Sequence, residues 1–181
     1  MTDAGVRAAQ AASASMPAPS VRRRLAAFVY EGVLLFGVLF FADYVFGTLT
    51  QQRHALQLRE VGMGFLFLVL GVYFVWFWSH GGQTLAMKTW HVKLRARDGG
   101  AVTQGRALAR YLLSWIWFLP PLALVYALGV PRLGIGGTLG ILVGYVLVYA
   151  LSSRWNPQRQ FWHDVVCGTC LVDARAANEA R

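Results

Sequence analysis

The sequence predicts an all-α fold, a polytopic membrane bundle of four transmembrane helices with a short cytoplasmic cap made by a loop and the tail. Three observations predict it. The 181 residues are 56% hydrophobic and 14% charged, where a soluble domain carries about a quarter charged residues, and mean hydropathy is +0.46. Four apolar runs are each long enough to cross a hydrocarbon core of ~30 Å, which takes about 20 helical residues. Finally, the lysines and arginines alternate between the segments that separate these runs. Fourteen lie before the first run, between the second and third, or after the fourth, and three lie in the other two connections. That bias places both termini and the long second loop in the cytoplasm. The net charge of +9 flanks apolar runs instead of forming a basic face. It therefore points to anionic lipid headgroups as the partner and not to nucleic acid.

The elements follow in order. Residues 1–20 are rich in Ala, Ser and Pro and bury too little to offset ordering, which predicts a disordered cytoplasmic tail. Arg22-Arg23 before an apolar stretch resembles an export signal, but the run is far longer than an h-region of about 7–15 residues, so a retained signal-anchor is expected. The first span is expected over Leu25–Leu49, interrupted by Glu31 and by Asp43, the latter at the outer interface. The second runs from Val61 to Trp78. The third, Tyr111–Val130, holds Pro120-Pro121 near its middle, and the lost N–H groups predict a kink or break there. Trp76, Trp78, Trp115 and Trp117 fall towards the cytoplasmic interface, where indoles anchor.

The fourth span is expected over Leu133–Leu151. Gly136, Gly140 and Gly144 recur every fourth residue, which gives a face that another helix can approach closely, in this chain or in a second copy of a homo-oligomer. Between spans two and three, apolar and polar residues alternate from His91 to Arg97, and Asp98-Gly99-Gly100 signals a turn. Thr103 can cap a helix leading into span three. Arg106 and Arg110 share a face of that helix, where their stems can snorkel.

Glu31 is the residue that calls for a reason. A charge at the centre of a membrane helix costs about 2.5–3.5 kcal/mol on insertion scales, and such residues face the bundle interior or a wet cavity. Arg24 is two turns away on the same face, ~10 Å along the axis, too far for direct pairing. A membrane carboxylate can serve proton-coupled movement of a small cation, or it can hydrogen-bond between helices as a structural group. Cys167-Gly168-Thr169-Cys170 forms a CxxC, but the βαβ pattern of a thioredoxin-like site is missing. With His163 it offers three ligands where structural zinc takes four, and two buried cysteines are the plain alternative. His163 beside Asp164 can have its ring oriented and its pKa raised by the carboxylate. With no nucleophile triad, phosphate loop or nucleotide-binding glycine pattern, neither enzymatic activity nor a cofactor is expected.

The stretches "RRLAAFVYEG", "SHGGQTLAMKTWHVKL" and "RQFWHDVVCGTCLV" resemble the RDD family of bacterial integral membrane proteins, over most of 23–172. The resemblance implies an inner-membrane domain spanning 21–173, followed by a short tail at 174–181. It places the family's arginine at Arg24, its first acidic position at Glu31 (usually Asp), its Gln-Thr pair at Gln83 and Thr84, and its last aspartate at Asp164. Leu85-Ala86-Met87-Lys88 replaces a more usual Leu-Gly-Lys. Transport is suggested for the family, and some members are described as sodium/proton antiporters. Two functions remain open. One is a small transporter in which Glu31 is the protonatable site, Arg24 tunes its charge, Asp164 and Gln83 line the cytoplasmic entry and Thr84 belongs to the same polar cluster, with His163 and Arg110 as secondary candidates. The other is a membrane scaffold or accessory subunit in which the same residues lock the helices.

Overall fold

The computed structural model describes residues 17–51 and 58–175, apart from the side chains of 130–133. Four helical stretches are long and apolar enough to cross a membrane: Val21–Leu49, Arg59–His80, Gln104–Leu128 and Gly134–Ser152. The first is helix α1, Val21–Leu49, and the second is α2, Arg59–His80. α1 begins where the Ser20 hydroxyl accepts the Arg23 N–H at 3.4 Å, an N-cap that satisfies one orphan donor. It is apolar nearly all round, with Val29, Val33, Phe36, Phe40 and Phe41 exposed, as a lipid-facing helix should be.

The third span is not one helix. α4 (Gln104–Ser114) is capped by the Thr103 hydroxyl and ends in a 3-10 turn at Trp115–Trp117, and α5 (Leu119–Leu128) follows. The expected break is therefore present but falls one turn before the prolines. Pro120 and Pro121 occupy the first turn of α5, where a missing N–H costs nothing because no intrahelical acceptor awaits it. The Tyr145 hydroxyl donates to the Ile116 carbonyl at 3.1 Å, supplying one of the partners that a helix break inside a membrane demands. The fourth span belongs to α6, Val130–Ser152, which is kinked at Gly134 with φ 62° and ψ 179°.

Between the spans lie α3 (Leu85–Thr89) and strand β1 (Val92–Ala96). After α6 come α7 (Trp162–Val166) and strand β2 (Thr169–Asp173). The alternation from His91 to Arg97 is realised as β1, with Val92, Leu94 and Ala96 buried. β2 was not expected. It pairs antiparallel to β1, Val92 opposite Asp173 and Ala96 opposite Thr169. This two-stranded ribbon, with α3 and α7, caps one end of the all-α bundle.

That end holds the packed core. Only 6–22% of the residues in the four apolar windows are buried. The core cluster instead joins Val92, Leu94 and Leu171 of the ribbon to Met87, Trp78, Tyr111, Tyr149 and Phe161. Both ends of the described residues meet it. The Pro17 carbonyl accepts the Asp173 N–H at 3.1 Å, and the Ala174 N–H donates to the His91 carbonyl at 2.9 Å. Residues 17–20 of the expected tail are thus tied to the ribbon, and 1–16 and 176–181 lie outside the described residues.

Three expectations need correction or narrowing. A Cβ built on Gly136, Gly140 or Gly144 would meet nothing within 4 Å, so of the two neighbours expected for this face, a helix of the same chain is not found among the described residues. Trp78 and Trp117 are 4% and 6% exposed and act as core residues, whereas Trp76 is exposed and stacks on His80. Arg110 does not snorkel with Arg106. Arg106 pairs with Asp98 at 2.7 Å in the open, while Arg110 turns inward and is 7% exposed.

Candidate functional site

The residues anticipated from sequence divide into two clusters with one outlier. Glu31 anchors the first. It is 8% exposed and both carboxylate oxygens are occupied: the Tyr73 hydroxyl donates to Oε1 at 2.7 Å, and the Thr84 hydroxyl donates to Oε2. Thr84 reaches it because it caps α3, accepting the Met87 N–H at 3.2 Å, and α3 packs against α1. Ala86, fully buried in α3, is small enough to permit that approach. One carboxylate with two hydroxyls forms an all-oxygen cluster, capable of accepting hydrogen bonds or of contacting a hard cation.

Asp164 anchors the second. Its carboxylate is fully buried on α7, and Arg110 donates to Oδ1 through Nε at 2.7 Å. The Arg110 guanidinium lies over the Trp78 ring, 4.1 Å from its centroid. Thr169 on β2 donates to the Asp164 carbonyl at 3.2 Å. The His163 Nε2 is 3.6 Å from Asp164 Oδ1, and its Nδ1 meets the Tyr149 hydroxyl at 2.9 Å. Arg24, 5% exposed, joins from α1. Its guanidinium lies 4.5 Å over the Phe161 ring and donates to the Ser153 hydroxyl at 3.5 Å. Its charge also acts on Asp164.

Arg24 and Glu31 therefore belong to different clusters, and Arg24 does not tune Glu31 by contact. Gln83 joins neither, since its side-chain amide donates to the Val92 carbonyl at 2.8 Å and fixes β1. Gln160 does the same for β2, exchanging two hydrogen bonds with the Leu171 backbone. Arg23 spans the ribbon, paired with Asp173 and donating to the Trp90 and His91 carbonyls.

Protonation follows burial. Burial alone would raise the Asp164 pKa, but the charges of Arg110 and His163, with the Arg110 hydrogen bond and Arg24, hold it below the usual carboxylate range. For His163 burial wins over the neighbouring carboxylate and pushes the ring down to about 4, opposite to the rise expected from sequence. Because the folded pKa lies below the unfolded value near 6.5, the neutral ring's stability contribution is full above about pH 6.5 and is lost as pH falls through 4. The melting temperature of the purified protein should fall over that window. His163→Gln should flatten the fall; an unchanged profile in the variant would refute this assignment.

The cysteines sit on this cluster's edge. Cys167 ends α7 and Cys170 lies on β2, with no disulfide between them. Burial, ahead of the opposing pull of Arg110, pushes the Cys167 thiol up, away from the thiolate that ligation or redox attack requires. Among the described residues no three His, Cys, Asp or Glu side chains are placed to hold a metal, and His163 already uses Nδ1 on Tyr149.

Tyr73, Tyr149, Ser153, Trp78 and Phe161 were not anticipated. Tyr73 had a usable signal, a hydroxyl within an otherwise apolar span. The others are legible only from the fold: Tyr149 meets His163, Ser153 and Phe161 meet Arg24, and Trp78 at the end of α2 lies under Arg110.

Comparison with known families gives one finding. The model described as RDD family matches residues 18–168. No curated protein and no solved structure matches the chain.

Proposed function

Since this chain belongs to the RDD family of membrane proteins, we propose that it is a non-catalytic inner-membrane scaffold whose buried ionic clusters lock the helices to the ribbon, with both termini in the cytoplasm. One observation carries this reading. The fully buried Asp164 gathers α4 through Arg110, β2 through Thr169 and α1 through the charge of Arg24. Its Oδ1 takes the Arg110 hydrogen bond while Oδ2 has no hydrogen-bond partner among the described residues, so the cluster holds these elements together by buried opposite charge more than by complete hydrogen bonding. Breaking such a pair leaves a stranded charge.

A second reading has its own observation. The all-oxygen environment of Glu31, inside a helix long enough to cross the membrane, suits exchange of a proton for a small cation. One comparison separates the two. Glu31→Gln is measured in inverted vesicles for cation-driven proton flux and, in the same membranes, for protein abundance. The scaffold reading predicts lower abundance, because Tyr73 and Thr84 lose an ionic acceptor, and no flux above empty vesicles from either protein. Flux from the wild-type chain that disappears in the variant at unchanged abundance would establish transport instead.

A further inference from the structure

A cavity of about 580 Å³ opens between the start of α1 and the end of α6, with Arg22, Arg24, Arg154 and Arg159 among its lining residues. Such a volume falls within the ordinary range for small-ligand sites. Among the described residues, Asp164 is the carboxylate whose charge acts on Arg24, and its Oδ1 already takes the Arg110 Nε–H. With His163 neutral, two guanidiniums and one carboxylate leave an excess positive charge in the interior.

The unpaired donors tell the same story. Arg24 is 95% buried, yet its Nε and Nη1 have no hydrogen-bond partner. Arg22, Arg154 and Arg159 pair with no carboxylate among the described residues. The start of the 29-residue α1 adds its own orphan N–H groups and the positive end of its dipole. Leu25 and Leu151 give the cavity an apolar wall beside the arginines. A guanidinium cluster at a helix N-terminus suits a phosphate group. Set beside apolar walls at the end of two membrane helices, it suits the phosphate of a lipid headgroup whose chains continue along α1 and α6.

We propose that this cavity is a phosphate-binding site, filled by the headgroup of an anionic phospholipid, with Arg24 as its buried anchor. The bound anion neutralises the surplus charge at Arg24 and joins α1 to α6 at the ribbon end.

The test is native mass spectrometry of the full-length protein in neutral detergent, titrated separately with phosphatidylglycerol, phosphatidylcholine and inorganic phosphate. The variant Arg22→Gln/Arg154→Gln/Arg159→Gln is compared with Lys88→Gln/Arg95→Gln/Arg175→Gln, which removes equal charge outside the cavity. Phosphatidylglycerol should be retained over phosphatidylcholine, and the cavity variant alone should lose that retention by roughly an order of magnitude. Should the triple variant fail to fold, Arg154→Gln alone should still weaken retention. Inorganic phosphate binding with the same arginine dependence, without phosphatidylglycerol binding, would keep the phosphate site and overturn the lipid as its source. Equal retention of both lipids, or equal loss in both variants, would overturn the site altogether.

Discussion

Asp164→Asn should lower the stability of the folded protein by about 3–5 kcal/mol, the usual cost of removing one partner from a buried ion pair. The carboxylate is fully buried, and Arg110 directs its Nε to it while lying over Trp78. The amide keeps the shape and removes the charge. Two buried guanidiniums, Arg110 and Arg24, are then left without a counter-charge. The effect should appear as a large drop in membrane abundance and an earlier transition in detergent-induced unfolding. Thr169 would loosen with it, because its hydroxyl also reaches the Asp164 carboxylate, 3.5 Å from Oδ1. A variant as stable as the wild type would mean that the arginines find water or lipid phosphate unaided.

The second large effect is expected at Gly82. Its φ is +70°, and a Cβ there would stand 2.3 Å from the Leu94 carbonyl oxygen. The obstacle is backbone, so no side chain can swing away. The left-handed conformation itself costs a non-glycine residue roughly 1–2 kcal/mol, and the collision must also push β1 off, breaking the 2.7 Å bond from the Leu94 N–H to the Gly82 carbonyl. Gly82→Ala should therefore detach the ribbon while leaving the apolar spans inserted. Hydrogen exchange would show lost protection across Val92–Ala96 with α1 and α2 unchanged. Wild-type protection in β1 would contradict this.

What could be read in advance divides by physical cause. The four spans follow from apolar length, which the bilayer selects directly, so α1 and α2 lie close to their expected places. β1 follows from alternation between Val92 and Ala96. β2 does not, since four of its five residues are buried and a continuously buried short strand has no period to detect. Gly136, Gly140 and Gly144 carry a packing spacing that the described chain leaves unused, because spacing says that a face is approachable and not that something approaches.

The site shows the same division. Glu31 was conspicuous because lipid makes a carboxylate costly, and the structure shelters it. Its companions come from residues whose direction depends on tertiary placement: Tyr73 from α2, and Thr84 from the turn into α3. Arg24 and Asp164 were both legible. That Arg110 rather than Arg24 holds Asp164 was not, since a helical face shared by Arg106 and Arg110 does not reveal which of them turns inward.

The lock is tested most directly by a double-mutant cycle on Asp164→Asn and Arg110→Gln, read from reversible unfolding of the wild type, both single variants and the double variant. The buried pair predicts strong coupling, with the double variant less damaged than the sum of the singles by well over 1 kcal/mol. Additivity within about 0.5 kcal/mol would show that Asp164 and Arg110 act independently, and the ionic lock at the ribbon end would not exist.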